Sequence, residues 1–326
     1  TDGTCTFNLD TYEWLAWIKN IDGASEGWYI INSLNGANKY HTWESATQST
    51  DANVMTVSGT TFTLGSTLGD KSYLVEFHKA GLASATAANT EGTFADGTSS
   101  NTIATTVNLV SGFGMSEFTG SGGNSTIGHG MDIAPALTIP NNNTIADGHY
   151  VLHTGTGDPD SRLNIGTNQS GADDAANFNG SYPSATVISL GSADRTNKSG
   201  SNIVLYYWHD VAGYSSFGTY EGNNAVDGVF INTGMYGNKN FVKNIDGTYS
   251  WHSVSTTEQG YNAASNPSLQ FDNDGVGGGA AYDVVSNGLK MRTANANYNS
   301  AETFIYGSWG GIPIQGDGAV NQGRAK

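Results

Sequence analysis

Charged residues are scarce in this sequence: Asp, Glu, Lys and Arg together make up only 13% of its 326 residues. Long surface helices usually need more Lys, Glu and Arg than this. The chain contains 44 glycines, and hydroxyl and amide side chains supply most of the remaining polarity. The composition therefore predicts that helix is a minor element.

Basic residues are the scarcer of the two charged classes, with 13 Lys and Arg against 29 Asp and Glu and a net charge of −16. Nucleic-acid binding needs clustered Lys and Arg side chains that contact phosphates. The sequence has no such cluster, so no nucleic-acid partner is expected. The acidic residues are scattered through glycine-rich turns, which favours a role in solubility.

Cysteine and long apolar runs are also lacking. Cys5 is the only cysteine, so the chain cannot form an internal disulfide and packing must stabilise it. No apolar run approaches the roughly 18 to 20 residues that a membrane-spanning helix needs, and no secretory signal precedes the first strand. We expect a soluble chain that is either processed or part of a longer polypeptide, since it does not begin with Met.

What the sequence does contain is short runs of aromatic and β-branched residues bounded by Gly and Asn. Aromatic residues make up 11% of the chain. Such runs are typical of half-buried strands and the turns between them. The predicted fold class is all-β.

An internal repeat organises these strands. Residues 18–23 (Ile-Lys-Asn-Ile-Asp-Gly) match residues 242–247 (Val-Lys-Asn-Ile-Asp-Gly), and residues 139–143 (Ile-Pro-Asn-Asn-Asn) fall near the midpoint between them. The implied period is about 112 residues. Two further strand signals recur in the same order. The second lies at residues 61–65, 186–191 and 284–290, and the third at residues 73–78, 203–208 and 304–309.

These signals divide the chain into three divergent repeats. The first repeat spans residues 1–81, the second 112–212 and the third 213–326, and residues 82–111 form an Ala/Thr/Ser-rich linker or exposed hairpin. The second and third repeats share an opening segment, at residues 112–120 and 213–222. The first repeat lacks this opening strand. The predicted architecture is a string of tandem antiparallel β-sandwich or jelly-roll-like modules.

Over nearly its whole length the chain resembles a repeat domain of tail-fibre-like virion proteins from marine phages, of cyanobacteria and other oceanic bacteria. The residues that carry the resemblance are Phe118-Thr119-Gly120, residues 126–130 (Thr-Ile-Gly-His-Gly), Ala134-Pro135, residues 213–218 (Gly-Tyr-Ser-Ser-Phe-Gly), Tyr220, Gly222, Asp227-Gly228, and residues 286–292 and 302–306. The resemblance implies a virion-associated, extracellular protein and supplies no catalytic residue. This sequence departs from the family pattern at residues 139–143, where a Lys is lost and a Pro is gained.

Several residues are possible chemical sites. His149 and His153 would share a helix face, but they lie in a strand-like segment, which places them about 13 Å apart and disfavours metal binding. His129 lies between two glycines, where a histidine more often bonds its local backbone than acts as a base or ligand.

The acidic candidates are equally weak. Residues 272–275 (Asp-Asn-Asp-Gly) resemble the start of a calcium loop but lack its closing Glu. A glycosidase would need two carboxylates in one cleft. The sequence offers Asp158, Asp160, Asp173 and Asp174, which surface turns explain as well. We therefore expect no catalytic residue, no cofactor and no metal.

Tryptophan supplies the only candidate ligand or interface residues. Trp28 and Trp251 occupy matching repeat positions and so are expected in the core. Trp14, Trp17 and Trp43 have no such counterpart, and an exposed indole can stack on the apolar face of a sugar. The alternative is that these three cap the end of a truncated first repeat.

The leading functional hypothesis is a non-enzymatic structural protein of a phage virion, such as a tail-fibre subunit that mediates assembly and host attachment. Its expected partners are further copies of itself, a trimer by family analogy, together with other virion proteins and host surface glycan. The alternatives are an extracellular carbohydrate-binding or filament-forming protein. A glycan-depolymerising tailspike is a weaker alternative.

Overall fold

The computed structural model describes residues 4–6, 12–22, 26–44, 47–59, 61–82, 102–145, 148–260, 267–274, 276–279 and 281–310. These residues form mostly antiparallel β-strands, which confirms the all-β prediction. The helical elements among them are short: α1 (Ala175–Phe178), α2 (Asp194–Asn197), α3 (Thr256–Gln259) and one 3-10 turn (Thr154–Thr156). We refer to residues 4–82, 102–208 and 215–309 as blocks 1, 2 and 3.

The strands of block 1 are β1 (Thr4–Thr6), β2 (Tyr12–Asn20), β3 (Tyr29–Asn32), β4 (Lys39–Tyr40), β5 (Ser49–Thr50), β6 (Met55–Ser58), β7 (Thr61–Leu64) and β8 (Tyr73–Leu82). Those of block 2 are β9 (Thr102–Asn108), β10 (Phe113–Thr119), β11 (Ser125–Gly128), β12 (Leu137–Asn142), β13 (Tyr150–His153), β14 (Ser161–Asn164), β15 (Ala172–Asp173), β16 (Val187–Leu190) and β17 (Asn202–Trp208). Those of block 3 are β18 (Ser215–Glu221), β19 (Phe230–Asn232), β20 (Lys239–Asn244), β21 (His252–Ser255), β22 (Pro267–Gln270), β23 (Val276–Gly279), β24 (Tyr282–Val285), β25 (Gly288–Met291) and β26 (Thr303–Trp309).

Each block contains two main sheets, and we call the sheet with the longer strands the larger and the other the smaller; in block 1 both have three strands. The larger sheets have the orders β3-β2-β8, β15-β14-β13-β12-β17-β10-β9 and β18-β26-β20-β21-β22-β23. The smaller sheets are β1-β7-β6, β11-β16 and β19-β25-β24, and β4-β5 is a separate hairpin in block 1. The result is a sandwich-like arrangement in every block.

Alternation along the central strands gives each larger sheet two apolar faces. In β17, Val204, Tyr206 and Trp208 point to one face, whereas the intervening Ile203, Leu205 and Tyr207 belong to a separate cluster on the other face. A strand that is buried on both faces needs a nearly continuous apolar run. The third strand signal of each predicted repeat has that composition.

One face of all three larger sheets packs into a single central core. Its members from block 1 include Trp17, Trp28 and Trp43, and those from blocks 2 and 3 include Trp208 and Trp309. The prediction of a string of modules did not include this shared core. Each block contacts both of the others, because the inner faces of the three sheets meet and exclude water together.

The opposite face of each larger sheet packs within its own block. Phe118 and Tyr207 lie in the outer core of block 2, Val242 and Tyr282 in that of block 3, and Ile18 and Phe62 in that of block 1. These outer cores include residues of the smaller sheets, so they hold each sandwich together.

Pro140 lies inside β12 without interrupting it. The pairing of β12 with β17 is unbroken from Leu137 to Asn142, whereas its pairing with β13 is recorded only at Leu137 and Thr138. Proline has no backbone N–H to donate, so the ladder with β13 stops short of it. The local consequence in block 2 is thus a shortened ladder with one neighbour.

The predicted linker at residues 82–111 contains β9, which forms a hairpin with β10 and extends the larger sheet of block 2. Leu109 and Val110 at the hairpin turn are 57% and 45% exposed. The remainder of this segment, residues 83–101, lies outside the described residues.

Candidate functional site: the buried contacts between the blocks

The three tryptophans selected from the sequence are all buried. Trp14, Trp17 and Trp43 are 4%, 1% and 0% exposed. The expectation that they face solvent as a sugar-stacking groove is wrong, because all three indoles are taken up in apolar packing. Trp14 lies in the outer core of block 1, whereas Trp17 and Trp43 lie in the central core.

Trp17 occupies the middle of the central core and contacts rings from all three blocks. Its ring centroid lies 4.6 Å from that of His78 and 5.8 Å from that of Trp208. The rings of Phe271 and Trp309 in block 3 lie at 5.9 Å, mostly in edge-to-face geometry. Aromatic pairs at these distances add about 0.5–1.5 kcal/mol each beyond their buried area. Trp17 is thus an interface residue, but the interface lies within the chain.

A buried ammonium joins block 1 to block 3. Lys19 is 0% exposed, and its Nζ donates to the carbonyl oxygens of Glu26 at 2.5 Å, Asp274 at 2.7 Å and Asn273 at 3.3 Å. Burial lowers the pKa of Lys19, and the carboxylates of Glu44, Asp274 and Glu26 oppose that shift. An ammonium group has three protons to donate, and here three carbonyls accept them.

A second buried ammonium joins block 3 to block 2. Lys243 is also 0% exposed, and its Nζ donates to the carbonyl oxygens of Tyr249 at 2.6 Å and Asn168 at 3.3 Å. Burial lowers the pKa of Lys243 to about 8, and Asp272 opposes that shift. Because carbonyls accept from either an ammonium or an amine, the contact between blocks remains in both forms.

Indole N–H groups join the same pairs of blocks as the two lysines do. Trp28 of block 1 donates to the carbonyl of Gln270 in block 3 at 2.7 Å, and Trp251 of block 3 donates to the carbonyl of Asn164 in block 2 at 2.9 Å. Block 2 meets block 1 through His149, whose ring lies edge-on to Trp43 at 5.1 Å. The contacts therefore run from block 1 to 3, from 3 to 2 and from 2 back to 1.

One ion pair crosses the central core. Lys239 of block 3 and Glu76 of block 1 lie 2.7 Å apart, and their side chains are only 8% and 13% exposed. The ammonium also lies 4.6 Å from the ring centroid of Trp28. Burial raises the pKa of Glu76 and lowers that of Lys239, and each charge opposes the shift of the other. Burial and the nearby Lys239 lower the pKa of His78 to about 3, so that imidazole stays neutral.

The histidines considered as ligands all have structural contacts. His129 accepts from the Met131 N–H through Nδ1, which is the expected kind of local backbone contact. Its Nε2 lies 3.0 Å from the carbonyl of Ser184, which is distant in the sequence. His149 Nε2 lies 2.8 Å from the Asn141 amide oxygen. His153 Nε2 lies 3.1 Å from the Tyr306 carbonyl, which connects block 2 to block 3.

His153 gives a pH-dependent contribution to stability. Burial lowers its pKa to about 4, and its Nδ1 must stay unprotonated to accept from the Gly155 N–H. Because the folded-state pKa lies below the unfolded value, the contribution is fully present above pH 6.5 and is lost as the pH falls towards 4. From pH 7 to pH 4 the wild type should lose about 3 kcal/mol more unfolding free energy than His153→Gln. Urea denaturation of both proteins measures this difference, and parallel pH curves would contradict it.

Three of the acidic candidates make local structural contacts. Asp158 accepts from the Asp160 N–H, and Asp174 caps α1 through the Ala176 N–H while it pairs with Arg162 at 3.1 Å. Asp272 accepts from the Trp251 N–H at 2.9 Å. Within the described ranges, no group of three or more His, Cys, Asp or Glu side chains is placed to hold a metal ion. Gly275, the end of the suspected calcium loop, is outside those ranges.

The residues that sequence analysis missed are Lys19, Lys243 and the pair Glu76 and Lys239. A signal for the first two existed, because both lie in the matching Lys-Asn-Ile-Asp-Gly segments. A lysine that recurs inside an apolar strand, in a chain so poor in lysine, indicates a buried ammonium with fixed acceptors. No sequence signal connected Glu76 with Lys239, because the pair is made only where two sheets meet.

A family model described as Domain of unknown function (DUF7483) matches residues 6–313 of the chain. Neither a curated protein nor a solved structure gave a significant match. Among the helices that the structure describes, none is long and apolar enough to cross a membrane.

Proposed function

The chain belongs to the DUF7483 family, and we propose that it is a non-enzymatic structural protein of a phage virion, built from three divergent repeats and acting in a tail fibre or similar appendage. The observation that carries this proposal is the central core. Two buried ammonium groups, a buried ion pair and several buried imidazoles are engaged in contacts between the blocks. Such a use of polar groups supports a rigid building element.

The strand orders support the three-repeat interpretation. Block 2 contains the order β13-β12-β17-β10, and block 3 contains β21-β20-β26-β18. Block 1 contains β3-β2-β8, which is the same order without the last strand. In the smaller sheets β7, β16 and β25 pair with β1, β11 and β19 in the same sense.

The pairing registers agree with this interpretation. Leu15 lies opposite His78, Leu137 opposite Trp208, and Lys239 opposite Trp309. Counting from these pairs, Lys19, Asn141 and Lys243 take corresponding places. Trp28, His149 and Trp251 also take corresponding places. Trp28 lies one residue beyond the recorded pairing of β2 with β3, and Trp251 lies one residue beyond that of β20 with β21. His149 lies near the end of the pairing of β12 with β13.

The middle copy replaces both members of the Lys and Trp pair. Asn141 and His149 bond each other at 2.8 Å, and Asn141 also donates to the Tyr206 hydroxyl at 3.1 Å. An amide and an imidazole therefore satisfy one another where the other copies use an ammonium and an indole. This paired change favours divergence from a common unit.

The motif residues of the phage resemblance lie at structural positions. Phe118 and Gly120 close β10, and a Cβ on Gly120 would lie 2.1 Å from the Lys198 carbonyl oxygen. Tyr220 and Gly222 close β18, where a Cβ on Gly222 would lie 1.8 Å from the Ser300 carbonyl oxygen. Glycine is required at both places because the backbones approach so closely. The motif thus specifies strand packing, which supports a structural role over a catalytic one.

The partners in this proposal are further copies of the chain, other virion proteins and a host surface glycan, and the location is the extracellular particle. An antibody against the purified chain should label appendages in electron micrographs of purified phage particles, with pre-immune serum as the control. Labelling of secreted filaments or cell surfaces without particles would contradict the virion role. A glycan array with the purified chain tests attachment separately.

A further inference from the structure

We propose that the outer edge of β8 in block 1 is an acceptor site for an extended peptide strand donated by another polypeptide chain. The strand would have the residue pattern of β10 and β18. This inference rests on the three-repeat part of the proposed function and is independent of the virion role.

The orientation of the β8 backbone defines the edge. The carbonyl of Ser72 accepts from the Ile21 N–H just beyond β2, at 3.0 Å. Because backbone groups alternate along an antiparallel ladder, Leu74 and Glu76 also face β2, whereas Tyr73 and Val75 face the opposite edge. In the described part of the chain, β8 has β2 as its only ladder partner.

The acceptor edge has a defined end. The carbonyl of Lys79 accepts from Asn108 Nδ2 at 3.2 Å and from Ser111 Oγ at 3.3 Å. These bonds confirm which residues of β8 face outward. They also close the edge beyond residue 78, so among the described residues the stretch of this edge without a recorded ladder partner extends from residue 71 to residue 76.

The corresponding edges in the other two blocks are covered. β10 pairs along β17, and β18 pairs along β26, over seven residues each. All but the first residue of β17 and of β26 are buried. In β8, by contrast, Tyr73, Val75 and Glu76 are only half-buried. An exposed edge of this kind is a template for β-augmentation.

β10 and β18 define the chemistry of the occupant. β10 and β18 share one residue pattern along the strands with which they pair, β17 and β26. In chain order, the pattern is a small residue, a large apolar residue, a second small residue, any residue, an aromatic residue, any residue and a glycine. These residues are Gly114, Met115, Ser116, Glu117, Phe118, Thr119 and Gly120 in β10, and Ser216, Phe217, Gly218, Thr219, Tyr220, Glu221 and Gly222 in β18 and the residue after it.

Each position of this pattern has a physical reason. Met115 and Phe217 enter the central core. Phe118 lies in the outer core of block 2, and Tyr220 packs against that of block 3. A Cβ on Gly114 would lie 2.4 Å from the ring of Tyr207, so a larger residue would clash there.

The same register can be transferred to β8. The small residues would lie opposite residues 77 and 75, the large apolar residue opposite Glu76, and the aromatic residue opposite Tyr73. Gly120 N–H donates to the Ser201 carbonyl, and Gly222 N–H donates to the Glu302 carbonyl. The final glycine of the donated strand would therefore donate to the carbonyl of Lys71.

The test uses the purified full chain and a synthetic peptide of residues 112–120, Gly-Phe-Gly-Met-Ser-Glu-Phe-Thr-Gly. Hydrogen exchange followed by mass spectrometry should show new protection of the segment at residues 72–78 when the peptide is added. A peptide with Met115→Asp should bind at least about tenfold more weakly, because it would place a carboxylate in an apolar core beside Glu76.

Two protein variants test the edge directly. Val75→Pro removes an N–H that faces away from β2, so the fold should persist while peptide binding is lost. Val75→Ala keeps the N–H and should retain binding. If Val75→Pro does not fold, the Met115→Asp peptide still tests the site, since it leaves the protein unchanged.

Three outcomes would overturn the inference. The first is that residues 72–78 are fully protected without peptide, which would mean that this chain covers its own edge. The second is equal binding of a scrambled peptide. The third is concentration-dependent self-association that Val75→Pro abolishes, because two β8 edges would then pair with each other. None of these results depends on the particle-labelling experiment, so the failures of the two proposals are distinguishable.

Discussion

Replacing Trp17 with alanine is expected to lower the free energy of unfolding by about 3–5 kcal/mol, as for other large-to-small changes in a packed core. Trp17 is 1% exposed and contacts rings in all three blocks. Because the cavity would open where the three sheets meet, the loss of packing should reach every block. Hydrogen exchange should therefore accelerate in β17 and β26 as well as in β2.

Trp14 provides a matched control on the same strand. It is 4% exposed, but it faces the outer core of block 1, where its ring lies 5.6 Å from that of Phe77. Trp14→Ala should cost a similar free energy, about 3–5 kcal/mol. Its effect on exchange should stay within block 1. An identical exchange pattern in the two variants would contradict the shared central core.

Replacing Glu76 with glutamine is expected to destabilise the protein by about 3–5 kcal/mol, because it leaves the ammonium of Lys239 buried without its counter-ion. The pair spans blocks 1 and 3 at 2.7 Å and is largely shielded from water. Coulomb attraction is strong in such a site, and the solvation lost on burial is not recovered. Chemical denaturation at pH 7 measures the loss.

A second substitution should restore most of that stability. Under the three-repeat interpretation, Leu15 and Leu137 take the places that correspond to Lys239. Lys239→Leu in the Glu76→Gln background removes the unpaired charge and places an apolar residue that the core accepts elsewhere. Replacing a buried ion pair by apolar residues is often neutral or stabilising. If the double variant is no more stable than Glu76→Gln, the loss arises from packing rather than from charge.

Short runs of aromatic and β-branched residues bounded by Gly and Asn were sufficient to predict an all-β fold, because such runs fit half-buried strands and the turns between them. The three strand signals near residues 61, 186 and 284, and those near 73, 203 and 304, all fall on strands. The placement of Trp28 and Trp251 in the core also followed from matching positions. These are local properties, and the local sequence contains them.

The arrangement of the blocks did not follow from the sequence. Strings of sandwiches and three sandwiches around a shared core require the same alternation, since both bury two faces of some strands. The difference is which surface meets the second face, and that depends on contacts between residues more than a hundred positions apart, such as Trp17 with Trp208 and Trp309.

The burial of Trp14, Trp17 and Trp43 was not predictable for the same reason. Without a counterpart in the other repeats they are candidates for a ligand or interface contact, or for the cap of a truncated first repeat, and an indole in an apolar strand fits a core just as well. The sequence by itself determined the strands, their faces and the recurring Lys-Asn segments. Only the tertiary structure decided that the faces meet in one core and that Lys19 and Lys243 each find a carbonyl acceptor in a neighbouring block. The physical reason is that burial and hydrogen bonding of these groups depend on what packs against them.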